Sequence, residues 1–194
     1  MEIHPMEASR WDDLKALFGT RGGAAHCWCQ CFAKADWDFQ DIEGNRDALY
    51  EQVTGSGPTP GLLAYVDDEP VGWVALGPRA AYPRLWRTPR VTEHHGDSEG
   101  RESLRTEEEI WAITCFVIRV GYRRRGIATR LLQAAIAYAS DHGATLLYAK
   151  PFDTRAEKKP GSELYTGVLS SFLKAGFIEA ERTKRRTVLV EKEI

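Results

Sequence analysis

IWAITCFVIRVGYRRRGIATRLLQAAIAYASD, residues 110–141, decides the fold of this chain. It opens with an apolar run rich in β-branched and aromatic residues, Ile110 to Ile118. Bounded by polar and glycine signals, such a run predicts a buried strand. A short basic turn, Arg119 to Arg125, comes next. Beyond it Ile127, Ala128, Leu131, Leu132, Ala135, Ile136 and Ala139 recur at helical spacing and predict an amphipathic helix.

The joint between strand and helix is electrostatically odd. Arg123, Arg124 and Arg125 stand where a helix ordinarily carries acidic or neutral capping residues. A helix N-terminus bears about half a positive charge, and a well-placed charge there is worth about 0.3–1 kcal/mol, so each arginine works against the dipole on a similar scale. No Asp, Glu or Ser in the turn offsets it. An anion resolves the conflict, because free backbone N–H groups, the dipole and the guanidinium groups then converge on it. Gly126 and the small Ala128 leave room for a large group to approach the backbone. The turn therefore predicts a phosphate-bearing ligand.

Arg123-Arg124-Arg125-Gly126-Ile127-Ala128, between a hydrophobic strand and an amphipathic helix, resembles the R/Q-x-x-G-x-G/A turn of the GNAT acyltransferases. The resemblance implies an α/β (α+β) fold, a mixed central sheet flanked by helices, in one domain spanning residues 1–194. It implies acetyl-CoA as co-substrate. The pyrophosphate would be held by Arg123, Arg124, Arg125, Gly126, Ile127, Ala128 and Thr129, and the pantetheine arm would run along the backbone of Phe116, Val117 and Ile118. It also implies that the strand after the helix is parallel to 110–118 and splays from it beyond a bulge. Gly176-Phe177 after a helical segment is a second GNAT-like feature. The resemblance covers residues 60–194. The CWC-x-C segment, Tyr82-Pro83-Arg84-Leu85 and Thr114-Cys115-Phe116 resemble a largely uncharacterised bacterial GNAT subgroup with a CWC motif.

Composition bounds the function classes. A chain of 194 residues is long enough to bury a core as one domain. Its formal charge of −2 argues against nucleic acid as the main partner. The second basic cluster, Arg182 to Arg186, reads as a solvated turn between two terminal strands. No run of about 18 apolar residues offers a membrane span. MEIHPMEASR lacks the regions of a signal peptide, so the expected location is the cytoplasm. A homodimer is common in the GNAT family, and nothing in the residues specifies an interface.

The cysteines are Cys27, Cys29, Cys31 and Cys115. In an extended segment the first three share one side, with Trp28 and Gln30 opposite. With His26 they form a candidate metal site, but one residue between cysteines is tighter than zinc ligand pairs use. A reactive thiol is a second reading. The reading retained is no metal and a packed wall or pocket lining. Cys29, Trp28 and Tyr82 are the substrate-binding candidates, with Trp86 beside Tyr82.

Residues 8–18 predict a helix, 19–25 a flexible loop, and 39–53 a second helix. Residues 62–66 and 71–76 predict a hairpin joined by Asp67-Asp68-Glu69-Pro70. The polar stretch 91–109 reads as a mobile loop, either a substrate lid or a surface insertion. A strand at 144–149, a helix at 162–175 capped by Gly176, and strands from Phe177 and over Thr187 to Val190 complete the order.

One departure bears on mechanism. Many GNAT enzymes place a tyrosine a few residues before the glycine of the Gly-Phe pair, where it protonates the leaving thiolate; here that place is Phe172. The position of the glutamate base found in some members falls near Trp111 or Ala112. The remaining candidates are Glu109, with Glu108, as base and Tyr165 as acid; Asp153 is a candidate contact to cofactor or amine. The expected activity is transfer of acetyl from acetyl-CoA to the primary amine of a small molecule, an antibiotic or metabolite, by direct attack in a ternary complex. The alternatives are acetylation of a protein N-terminus or lysine, and a catalytically inactive acyl-CoA-binding regulatory module.

Overall fold

In the computed structural model, which describes residues 1–85, 106–184 and 187–194, Ile110–Ile118 is the central strand, β4, of a mixed sheet. The other strands are β1 (Glu2–Pro5), β2 (Gly61–Val66), β3 (Glu69–Pro78), β5 (Leu146–Ala149), β6 (Ile178–Lys184) and β7 (Thr187–Glu193). Their order is β1-β2-β3-β4-β5-β7-β6. Each neighbouring pair is antiparallel except β4 and β5, which are parallel as the resemblance implied. The helices are α1 (Trp11–Phe18), α2 (Gly23–Cys27), α3 (Ile42–Thr54), α4 (Ile127–Asp141) and α5 (Leu169–Lys174). Trp86 and most of the 91–109 stretch lie outside the described residues. Among the described residues no helix is long and apolar enough to cross a membrane.

A bulge in β4 sets which side chain faces which core. Ala75 pairs with Cys115, but the next residue, Leu76, pairs with Ile113, so Thr114 is an extra residue without a β3 partner. Before it, Trp111 and Ile113 pack under α4 with Leu131, Leu132 and Ala135. After it the phase shifts by one, so Phe116 joins that same core. Cys115 and Val117 then face the opposite layer, built on Trp73, Leu14, Phe18 and Trp28. Each fully buried aliphatic or aromatic side chain of these layers contributes roughly 1.5–3 kcal/mol.

Glycine fixes the seat of α4. A Cβ on Gly72 of β3 would lie 2.9 Å from Ile127 Cγ2 and 3.0 Å from Leu131 Cδ1. Its absence lets the first turn of α4 rest directly on the sheet.

Several boundaries differ from the sequence reading, each for a local reason. The hairpin turn is only Asp67-Asp68, both left-handed at φ 51° and 62°, so Glu69 and Pro70 belong to β3. The predicted 19–25 loop contains the start of α2. Residues 27–31 are not extended: Cys27 ends α2, and Trp28 and Cys29 are left-handed at φ 46° and 56°. The predicted 162–175 helix shrinks to α5, preceded by a 3-10 turn at Gly161–Glu163. Gly167, at φ 84°, interrupts it, and a Cβ there would lie 2.7 Å from Phe172. Gly176, at φ 87°, does close α5, with the Phe177 N–H donating to the Phe172 carbonyl at 3.1 Å.

Candidate active site

Pairing between β4 and β5 ends at Ile113 and Ala149, while β4 runs on to Ile118. A cavity of about 1100 Å³ opens along this unpaired half of β4. Cys115, Phe116, Val117 and Ile118 all line it. The segment before α5 crosses the gap, where the Phe116 N–H donates to the Tyr165 carbonyl at 2.6 Å.

One wall of the cavity is the start of α4. Gly126 takes the N-cap position in the left-handed conformation (φ 79°), with open space where a Cβ would project. No side chain caps the helix and its first turn holds no acid, so the dipole and the first N–H groups face the cavity unopposed. Gly126, Ile127, Ala128 and Thr129 line this wall together with Arg123 and Arg124. The arginines are not equivalent. Arg124 is left-handed (φ 62°) and exposed. Arg123 folds back so that its Nε donates to the Ile118 carbonyl at 3.1 Å. Arg125 lies outside the lining; its guanidinium stacks on the Tyr122 ring at 5.1 Å. Below them Glu69 ties the turn to the sheet, accepting from Tyr122 Oη at 2.5 Å and from Arg119. That bond pushes the Tyr122 phenol up.

The facing wall comes from the end of α1, α2 and the segment after it. Phe18, Ala24, Cys27, Cys31, Trp37 and Phe39 line it, with Cys115 reaching it from β4. Tyr165 closes this side, 45% exposed, its phenol pushed up by burial and by the neighbouring thiols. Cys27 is the distinctive group. The Cys31 thiol donates to its sulfur, and although burial opposes ionisation, the backbone N–H groups of Cys31, Cys29 and Gln30 add to that donor and lower Cys27 to about 7. Cys31 is pushed up by the same hydrogen bond and by burial.

The structure brings some of the sequence candidates to the cavity and leaves others away from it. Phe116, Val117, Ile118, Arg123, Arg124, Gly126, Ile127, Ala128, Thr129 and Tyr165 line it; Arg125 does not. Glu109 stands before the first residue of β4, roughly 20 Å along the strand from Cys115. Its carboxylate is held by Thr106, through N–H at 2.7 Å and Oγ1 at 3.1 Å. It is not among the residues that line the cavity. Trp28, 5% exposed, is stacked on Trp11 and packed against Phe18 instead of lining the cavity. Cys29 is buried beside it, and Tyr82, 4% exposed, packs with Leu85, Ile110 and Tyr148. None of these three lines the cavity: the left-handed turn at Trp28 and Cys29 rotates their neighbours Cys27 and Cys31 onto the wall instead. Asp153 is also elsewhere, paired with Arg182 at 2.8 Å, which holds its carboxyl below the usual range.

Sequence reasoning missed Trp37, Phe39 and Arg21 on the lining. They lie in irregular segments without a period to follow. Among the described residues, no group of His, Cys, Asp or Glu is arranged to hold a metal ion.

Comparison with known proteins agrees with this geometry. The model of the acetyltransferase (GNAT) family matches residues 26–165. Among curated proteins, none matches the chain in sequence. Solved structures of similar fold include a GCN5-related N-acetyltransferase from Kribbella flavida, 13% identical, covering 100% of this chain and 97% of that one at a TM-score of 0.58. The ribosomal-protein-alanine N-acetyltransferase of Brucella melitensis is 16% identical and covers 100% of both chains at a TM-score of 0.58. The GNAT domain of S. lividans PAT is 12% identical, with 99% and 89% covered, at a TM-score of 0.56. Matched over most of its length by the family model and folded around the same strand–turn–helix, the chain belongs to the acetyltransferase (GNAT) family and is a GNAT-type N-acetyltransferase.

Proposed function

We propose that the protein transfers acetyl from acetyl-CoA to the primary amine of a small molecule, with both reactants bound at once. One observation carries this reading. The uncapped, left-handed start of α4 opens onto the same cavity as an aromatic and thiol wall, so an anion site and an apolar acceptor site share one volume. The N–H groups from Gly126 to Thr129, with Arg124, suit the pyrophosphate. The unpaired backbone of Phe116 to Ile118 suits the pantetheine arm, with the Phe116 N–H exchanging its present partner, the Tyr165 carbonyl.

Backbone N–H groups of β4 would polarise the thioester carbonyl. The amine nitrogen then forms the C–N bond and sheds a proton to solvent, the C–S bond breaks, and the departing thiolate takes a proton from the Tyr165 phenol, which regains one from solvent. Much of the rate follows from holding amine and thioester together. Enclosure between two walls favours a small acceptor over a folded protein surface.

The test is thermal melting with and without acetyl-CoA, on the wild type and on the double variant Arg124→Glu, Gly126→Asp, followed by CoA release across an amine panel. A ligand at about 100 times its Kd stabilises by roughly 2.7 kcal/mol, and the variant should lose that shift. No shift at millimolar acetyl-CoA overturns the reading. A shift without CoA release from any amine points to the binding-module alternative, whose motivation is Phe172 in place of the usual tyrosine.

A further inference from the structure

Two thiols in this cavity are arranged for chemistry that acetyl transfer does not need. Cys27 is the last residue of α2, and the left-handed pair Trp28 and Cys29 turns the chain back over it. The Gln30 N–H donates to the Cys27 carbonyl at 2.8 Å and closes the turn, which returns Cys31 to the side of Cys27, and the turn's backbone favours the thiolate form of Cys27. The Cys31 thiol adds a donor to that sulfur. Both residues line the cavity and both are partly exposed. The other two cysteines form a separate pair: Cys29 is buried and hydrogen-bonded to Cys115, which holds it protonated.

We propose that Cys27 and Cys31 form a dithiol that hydroperoxides oxidise reversibly to a disulfide within the cavity wall. The Cys27 thiolate attacks one peroxide oxygen, the O–O bond breaks, and hydroxide leaves to become water; Cys27 is then a sulfenic acid. The Cys31 sulfur, giving up its proton, attacks the Cys27 sulfur, the S–S bond forms, and the sulfenic oxygen leaves as a second water. Two electrons pass from the two sulfurs to the peroxide, and an external dithiol restores both thiols. The pairing is local: Cys27 and Cys31 lie four residues apart across one tight turn and line the same cavity, so closure to about 2.05 Å is confined to that turn. Its consequence for turnover rests on the acetyl-transfer reading, since the disulfide draws together two side chains of the wall assigned to the acceptor.

The experiment treats the intact protein with hydrogen peroxide in small excess, caps remaining thiols with N-ethylmaleimide, and measures mass. The expected product is 2 Da lighter than the reduced chain, takes two fewer adducts, and reverts with dithiothreitol. Trypsin releases residues 22–34, which contain Cys27, Cys29 and Cys31, and fragmentation should place the bond between the first and last. In Cys31→Ser, dimedone should trap a sulfenic acid on Cys27 and no disulfide should form. If that variant does not fold, the fragment map of the wild type decides alone. Full capping after peroxide, or a bond that includes Cys29 or Cys115, overturns the proposal. Acetyl-CoA should still shift the melting of the oxidised protein, while CoA release with an accepted amine falls at least tenfold. A reduced protein that releases no CoA with any amine defeats the acetyl-transfer reading and leaves the mass result standing.

Discussion

The two walls of the cavity are built by different means. The α4 wall is made of backbone: a left-handed glycine, an uncapped helix end and the N–H groups it exposes. The facing wall is made of side chains, thiols and aromatic rings on a short helix and an irregular segment. A backbone site tolerates many neighbouring sequences and suits the reactant common to a family. A side-chain site changes with each substitution and suits the reactant particular to one member.

The largest test of that division removes a proton donor. Tyr165→Phe should lower kcat by about a hundredfold or more with little change in the acetyl-CoA KM, the scale expected for a lost general acid. Glu109→Gln should stay within about twofold of wild type, because Thr106 holds that carboxylate away from the cavity. Steady-state kinetics on both variants checks this, and a reversed order would return the chemistry to the start of β4.

Next in size is a pH effect on the thiol wall. Cys27 is lowered to about 7 from the ordinary 9.0, by the Cys31 thiol and the turn's N–H groups. Thiolate accumulates as pH rises, so iodoacetamide labelling of Cys27 should climb through pH 7 and level off by about pH 8. At pH 7 it should exceed an ordinary thiol by about fifty-fold in thiolate fraction. The groups facing it are the Cys29, Cys31 and Cys115 thiols and the Tyr165 phenol, with Arg84 acting on Cys31. Labelling followed by mass on the 22–34 peptide gives the profile; a midpoint near 9 would show that the turn does not hold a thiolate.

The smallest effect separates neighbours on the α4 wall. Arg124→Ala should weaken acetyl-CoA about tenfold, the loss of one charge-assisted hydrogen bond. Arg125→Ala should change it by about twofold, since that guanidinium lies on the Tyr122 ring. Titration calorimetry on the two variants resolves the difference, and equal losses would mean that Arg125 swings into the site.

The same division explains what could be read from the chain in advance. The strand, the turn and α4 were legible because their signals are local: an apolar run, a glycine at a helix start, and a stripe at helical spacing. Gly176 was legible as a helix stop for the same reason. The thiol wall was legible as a lining but not in its geometry. Its shape depends on left-handed conformations at Trp28 and Cys29, residue types that seldom adopt them, so alternation grouped all three cysteines on one side and could not show that Cys29 turns away from Cys27 and Cys31. Glu109 differs: its chemistry suits a base, but the length of β4 sets it apart from the gap. Gly167 was visible as a glycine, yet nothing nearby in sequence revealed the Phe172 ring that forbids a side chain there.

The extra residue at Thr114 makes β4 a strand with two reading frames. Upstream, the odd-numbered Trp111 and Ile113 face the helix-covered core; downstream, the even-numbered Phe116 does. Losing Thr114 itself would restore a single frame with Ile113 and Cys115 still opposite Leu76 and Ala75; gaining a residue there would widen the bulge. The count of residues on either side of Thr114 is therefore constrained more tightly than their identities: Val for Ile leaves the frames intact, whereas a single-codon deletion elsewhere in the strand would force either the pairing with β3 or the assignment of side chains to their two cores to give way.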